Sequence, residues 1–136
     1  LDCPPSLSLI TLNSLVAADT VLIPMQAEYL ALEGLALLVN TVEMIKKSLN
    51  PELKIEGILF TMFDGRTKLS NEIVENVRQN LDVKIYNTFI PRNVRLAEAP
   101  SYGMPVNLYD HKSKGAKSYA ELADEIINEE DNADGK

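Results

Sequence analysis

Apolar and polar positions along the chain switch repeatedly between a helical and a strand period. Leu7, Ile10 and Leu15, with small residues between them, predict a short helix capped near Ser6. Thr20-Val-Leu-Ile-Pro24 is a short apolar run closed by proline, the mark of a buried strand. From Glu28 to about Leu49, apolar residues recur at Leu30, Leu35, Leu38, Val42 and Ile45, which predicts a long amphipathic helix stopped by Asn50-Pro51. Lys54 to Phe60 reads as a second strand. Ser70 to Leu81 carries Ile73, Val74 and Val77 at helical spacing, and Val83 to Ile90 returns to strand. Ser113 is placed to cap a last helix, with a broad apolar face running from Ala116 through Tyr119, Leu122 and Ala123 to Ile127.

Strand alternating with helix predicts an α/β fold, a mostly parallel sheet with helices on both faces. Ligands of such sheets bind beyond the carboxyl ends of the strands. Four segments qualify: Asp2–Pro5, Pro24–Glu28, Thr61–Arg66 and Pro91–Arg95. The last opens PRNVRLAEAPSYGMP, Pro91 to Pro105, whose three prolines and one glycine forbid a regular helix or central strand across it. With Arg92 and Arg95 beside the buriable Val94 and Leu96, this is a rigid cationic loop. On composition alone, it also fits a proline-stiffened surface loop.

The charge distribution sharpens the picture more than the net charge of −7 does. Glu129, Glu130, Asp131 and Asp134 crowd the final residues, so 129–136 is expected to be an acidic, disordered tail after a domain spanning 1–128. Nine of the thirteen Lys and Arg residues lie between Arg66 and Lys117, and screening lets such a patch act locally whatever the global sum. The single Cys3 excludes an internal disulfide and fits a reducing cytoplasm. No apolar run approaches the roughly 18 residues of a membrane span.

No G-x-x-x-x-G-K-[ST] phosphate loop occurs: the one Gly-Lys pair, Gly135-Lys136, has Glu130 where the motif needs its first glycine. Lys114-Gly-Ala-Lys-Ser118 is a decoy, better read as a helix N-terminus. Three other segments carry more. Leu1-Asp-Cys-Pro-Pro-Ser-Leu, Leu59-Phe-Thr-Met-Phe-Asp-Gly-Arg-Thr and Phe89-Ile-Pro-Arg-Asn-Val-Arg-Leu-Ala-Glu-Ala-Pro resemble, in order, three segments of the ParA/Soj chromosome-partitioning ATPases. The first is similar to their switch II. The resemblance covers roughly residues 1 to 128. It implies a P-loop NTPase-like fold whose N-terminal half is missing here, the chain beginning inside a strand that ends at Asp2.

The resemblance assigns roles residue by residue. Asp2, which alone reads as a turn or capping aspartate, matches the catalytic-site aspartate that supports Mg²⁺ through water. Pro4 and Pro5 stiffen a segment that senses the γ-phosphate. Thr61, Met62, Pro91 and Arg92 form walls of the adenine pocket, although ordinary loop packing accounts for Thr61 and Met62 nearly as well. Arg66 and Arg95 match positions that bind DNA without sequence preference. Their plainer reading is a pair of surface salt bridges worth ~0–1 kcal/mol each. Lys68, Lys112, Lys114 and Lys117 extend the patch or are simply solvated. Glu98 caps or bridges within its loop, and His111 reads as an exposed loop residue.

The implied protein is a cytoplasmic, nucleoid-associated ATPase of chromosome or plasmid partitioning. ATP and Mg²⁺ would hold it as a homodimer on non-specific DNA, and a ParB-like partner would stimulate hydrolysis. Without the phosphate loop, the 136 residues alone are expected to be inactive. A MinD-like membrane ATPase would need a basic amphipathic C-terminus, and the acidic terminus here is repelled by anionic lipid. A non-catalytic regulator retaining the fold is the other alternative, separable by whether a phosphate loop lies upstream.

Overall fold

The structure is a computed structural model and describes residues 1–3 and 8–134. Pro4, Pro5 and the cap expected at Ser6 lie outside the described residues. Helix α1 spans Leu9–Ala17 and is capped by Ser8, whose hydroxyl accepts from Thr11 N–H. At its other end, the Asn50 side-chain amide donates to the Leu15, Val16 and Ala18 carbonyls and so satisfies the terminal acceptors of α1.

Strand β1 (Thr20–Gln26), helix α2 (Tyr29–Ser48) and strand β2 (Lys54–Thr61) form a right-sized parallel crossover unit. The proline expected to close β1 does not do so. Pro24 sits inside the strand, opposite Leu59, and among the described residues β1 has a paired neighbour on one side only. A proline's missing N–H is tolerated on such an edge. The register slips between Val21 and Leu22, leaving Glu56 as the extra residue. Its carboxylate accepts from the Thr20 hydroxyl at 2.8 Å and from the Tyr86 hydroxyl at 2.7 Å.

Helix α3 (Lys68–Asn80) is capped by Thr67, and its Ile73, Val74 and Val77 pack with Ile23, Ile58 and Phe60 on one sheet face, beneath Leu35 of α2. On the opposite face Leu59, Tyr86 and Ile90 pack on Leu122 of the last helix, with Leu96 and Ile126 at the margin. Successive β2 residues are therefore buried on alternate faces, which is why this strand is a continuous apolar run. A smaller cluster of Leu15, Val42, Ile45 and Leu53 fastens α1 to α2.

The strand expected over 83–90 runs parallel to β2 without forming a continuous ladder. Ile58 N–H donates to Lys84 O, Tyr86 N–H to Ile58 O, and Ile90 N–H to Phe60 O. Between these contacts, Asn87 and Thr88 turn their N–H groups to the Glu125 carboxylate of the last helix, at 2.7 and 2.9 Å. A side chain has taken the place of the sheet partner.

The proline-rich segment also differs from a plain loop. It folds into α4 (Val94–Glu98), a 3₁₀ turn (Ala99–Tyr102) and α5 (Val106–Tyr109), with Pro100 and Pro105 at their starts and Gly103 in the left-handed region at φ +63°. Helix α6 (Lys114–Asp134) begins where the decoy motif lies and is capped by Ser113, which accepts from Ala116 N–H. Its buried stripe is narrower than expected: Ala116 and Leu122 are buried, whereas Tyr119, Ala123 and Ile127 are exposed. The helix continues past the boundary expected at 128 to Asp134.

Candidate functional site

The carboxyl end of β2 and the start of the proline-rich segment are joined backbone to backbone. Phe63 N–H donates to Ile90 O at 3.0 Å, and Phe63 and Pro91 form a parallel bridge. Ile90 thus bonds to Phe60 O on one side and Phe63 N–H on the other, and Met62 between them adopts φ +50°. A left-handed methionine costs about 1–3 kcal/mol, and such outliers gather at ligand sites. Half-exposed Met62 and half-buried Thr61, whose hydroxyl donates to Met25 O at 3.4 Å, share this rim with Pro91 and exposed Arg92. Phe89 anchors it from below, its ring 4.6 Å from Phe63 and 5.9 Å from Phe60.

Arg66 lies at the rim's outer edge with its side chain 90% exposed, yet it is held. Its Nε and Nη2 donate to the two Asp64 oxygens at 2.8 and 2.7 Å, and its backbone N–H donates to Asp64 Oδ1. Those side-chain bonds, then the backbone bond, and more weakly the positive charge of Arg92, pull the Asp64 carboxyl down to a pKa of about 2.

Arg95 belongs to a second group. Its Nη1 donates to Glu98 at 2.7 Å, and its Nε lies 3.3 Å from Asp110. Glu98 also accepts from the Tyr109 hydroxyl, whose ring stacks on Tyr102 at 5.1 Å. The Arg95 hydrogen bond holds the Glu98 carboxyl below the usual range, while burial and then the Glu98 bond push the Tyr109 phenol up. Glu98 bridges within its loop, as its sequence context suggested. Both arginines are thus in ion pairs, which the plainer reading anticipated.

Asp2 is exposed, and residues 1–3 are not in a strand, so the strand end expected there is not found among the described residues. Asp2 and Cys3 line, with Pro24, Gln26 and Glu28, a cavity of about 970 Å³ beside β1. Thr61, Met62, Pro91 and Arg92 do not line it, so Asp2 stands apart from the rim. Among the described residues, no three His, Cys, Asp or Glu side chains gather to hold a metal. A Mg²⁺ carried on nucleotide phosphates asks less, one or two carboxylates and water, and Asp2 offers one exposed carboxylate.

Sequence reasoning missed Asp64 and Asp110 as partners. The signal for Asp64 was its spacing two residues before Arg66, the span of a turn in which aspartate bonds the backbone ahead. Nothing local joins Asp110 to Arg95, because α4 and α5 meet only through the fold.

Known proteins match this arrangement. A family model for an AAA domain matches residues 1–55. The chain is 54% identical over 127 residues to the chromosome partitioning protein ParA of Myxococcus xanthus, covering 93% of this chain and 45% of that protein. It is 55% identical over 126 residues to the sporulation initiation inhibitor protein Soj of Bacillus subtilis, covering 93% and 50%. Cobyrinic acid a,c-diamide synthase from Mycobacterium smegmatis, solved with bound ATP analog and magnesium, superposes with a TM-score of 0.76 at 35% identity, over 93% of this chain and 45% of that one. The parallel sheet between two helical layers is of the P-loop NTPase-like class. Within that class the chain belongs to the ParA/Soj chromosome-partitioning ATPases, and it spans about half the length of the curated relatives it matches. No helix among the described residues is long and apolar enough to cross a membrane.

Proposed function

We propose that these residues serve a ParA/Soj-type partitioning ATPase, which binds DNA without sequence preference as an ATP-held homodimer and is stimulated by a ParB-like partner on the nucleoid. The observation that carries this reading is the Phe63–Pro91 bridge, which brings the two family-like loops onto one rim. When bound, Mg²⁺–ATP supplies the phosphoryl group that water accepts. Asp2 holds the Mg²⁺ through water. The backbones of Thr61 and Met62 and the ring of Pro91 wall the adenine, and Arg92 lays its planar guanidinium on the base. Arg66 and Arg95 face duplex phosphates, for which arginine's permanent charge and forked donors suit. Bound ATP then shifts the monomer–dimer equilibrium toward the dimer. The 136 residues contain no phosphate loop and are inactive alone.

The test compares three variants of the full-length protein, using a fluorescent ATP analogue and random duplex DNA at several salt concentrations. Arg92→Ala lowers nucleotide affinity first. Arg66→Ala and Arg95→Ala leave nucleotide binding intact and weaken all duplexes alike, each flattening the salt dependence of log K by roughly 0.9 per lost phosphate. Loss of ATP in Arg95→Ala with DNA binding retained at saturating nucleotide would refute this division of roles.

A further inference from the structure

Arg66 and Arg95 share a feature that phosphate binding does not require: each is already engaged by carboxylates of its own loop region. Asp64 occupies the Nε/Nη2 edge of Arg66 in a two-bond fork, the same geometry a phosphate takes on arginine. Glu98 and Asp110 take two different nitrogens of Arg95. The Arg66–Asp64 pair is formally neutral. The Arg95 group, with two carboxylates on one guanidinium, is net negative.

We propose that these carboxylates are built-in competitors for the DNA backbone, Asp64 at Arg66 and Glu98 with Asp110 at Arg95, so that a phosphate gains either arginine only by displacing them. The inference rests on the reading that both arginines face duplex phosphates. An approaching phosphate meets a single carboxylate at Arg66. At Arg95 it meets a second carboxylate and must wait for it to move. Arg66 is therefore the first contact and Arg95 the later, weaker one. Binding per protomer stays weak and reversible, so occupancy depends on two copies acting together.

The competitors can be removed without removing the turns they make. Asn at 64 keeps an oxygen for Arg66 N–H, and Gln at 98 keeps one for the Tyr109 hydroxyl. In the full-length protein with saturating ATP analogue, Asp64→Asn and Glu98→Gln should each tighten binding to a random duplex by roughly two- to fivefold, the worth of an exposed ion pair. Glu72→Gln, which frees Lys68 with the same change of charge, controls for general electrostatics and should change affinity by less than that. In an Arg66→Ala background the gain from Asp64→Asn should vanish. The inference is overturned if Glu72→Gln tightens binding equally, if the gain persists without Arg66, or if neither amide variant tightens binding although Arg66→Ala and Arg95→Ala weaken it. If those alanine variants bind DNA like the wild type, the DNA-facing reading itself falls, and the inference with it.

Discussion

Gly57 lies directly under the ring of Tyr86: a Cβ at position 57 would stand 2.8 Å from Tyr86 Cε2 and 3.2 Å from Cδ2. The absent side chain lets a fully buried tyrosine cross the central strand and reach Glu56 with its hydroxyl. Burial, and then that hydrogen bond, push the phenol's pKa up, so it stays neutral. Lys84 closes the other side, 3.9 Å above the ring, and pairs with Glu129 of α6.

Gly57→Ala should therefore destabilise the protein by about 1–3 kcal/mol, the cost of overpacking a filled core. Urea unfolding reads it. The same substitution at Gly34, where nothing lies within 4 Å, should stabilise α2 slightly, since alanine is the better helix former. Equal effects at the two glycines would show that contact with Tyr86 is not the cause.

Glu125 does for the 83–90 segment what a sheet partner would otherwise do. Its two oxygens accept from Asn87 and Thr88 N–H. Glu125→Ala strips a half-buried N–H of its acceptor and should cost about 1–2 kcal/mol, the lower part of the range for charged hydrogen bonds because Asn87 remains wetted. The pH dependence has a definite sign. Burial raises the Glu125 pKa, but the bonds from Asn87 and Thr88 together outweigh it, and the folded value lies below 4.5. Its contribution is thus present above about pH 4.5 and is lost as pH falls through the lower folded value. Wild type minus Glu125→Ala, measured by denaturant titration across that window, should shrink toward zero.

This clamp also explains which parts of the architecture were legible in the chain. Helices α2 and α3 and strand β2 announced themselves, because each buries a face or two faces with its own period. The segment 83–90 also read as a strand, but its irregularity was hidden, because the acceptor that replaces a sheet partner is a carboxylate on a helix 37 residues or more away in sequence. Pro24 misled for a related reason: whether a proline ends a strand or sits within it depends on whether its N–H side needs a partner, and that is not local information. At the site, the rim was readable because parallel sheets place ligands at strand ends. The carboxylates that neutralise Arg66 and Arg95 were harder to see. One is a neighbour too close to be noticed, and another arrives from α5.

Asp64 offers a direct solution test of its pairing. With Arg66 and Arg92 both acting on it, its carboxyl titrates at about 2 against an ordinary 3.8. Any stability it contributes is present above 3.8 and lost as pH falls from there toward 2. Side-chain NMR titration should show the low value in the wild type and a return most of the way to 3.8 in Arg66→Ala, with a smaller rise in Arg92→Ala. That order follows from the hydrogen bonds of Arg66 ranking ahead of the longer-range charge of Arg92. An equal rise in both variants would mean that distance charge, not the fork, sets the pair.

The start of α6 and the α4 turn interlock through Gly115 and Leu96. A Cβ on Gly115 would lie 2.6 Å from Leu96 Cγ and 2.8 Å from Cδ1, so the leucine rests on bare helix backbone. Leu96 adjoins Arg95, which carries the Glu98 and Asp110 pairs. Gly115→Ala is expected to cost about 1–3 kcal/mol, despite alanine's better helix propensity, because Leu96 must shift against Tyr86 and Ile90 in the same cluster. Leu96→Ala alone should also destabilise, by about 1–3 kcal/mol given that Leu96 is only half buried. Combined, the two should cost less than their sum, since the added methyl enters the space the leucine vacated. A double-mutant cycle by urea unfolding measures the coupling, and strict additivity would mean that α4 and α6 are not in register through this pair. Because Arg95 rides on the same turn, Gly115→Ala should also weaken the Arg95–Glu98 contact, visible as a rise of the Glu98 pKa from its lowered value toward the ordinary 4.5.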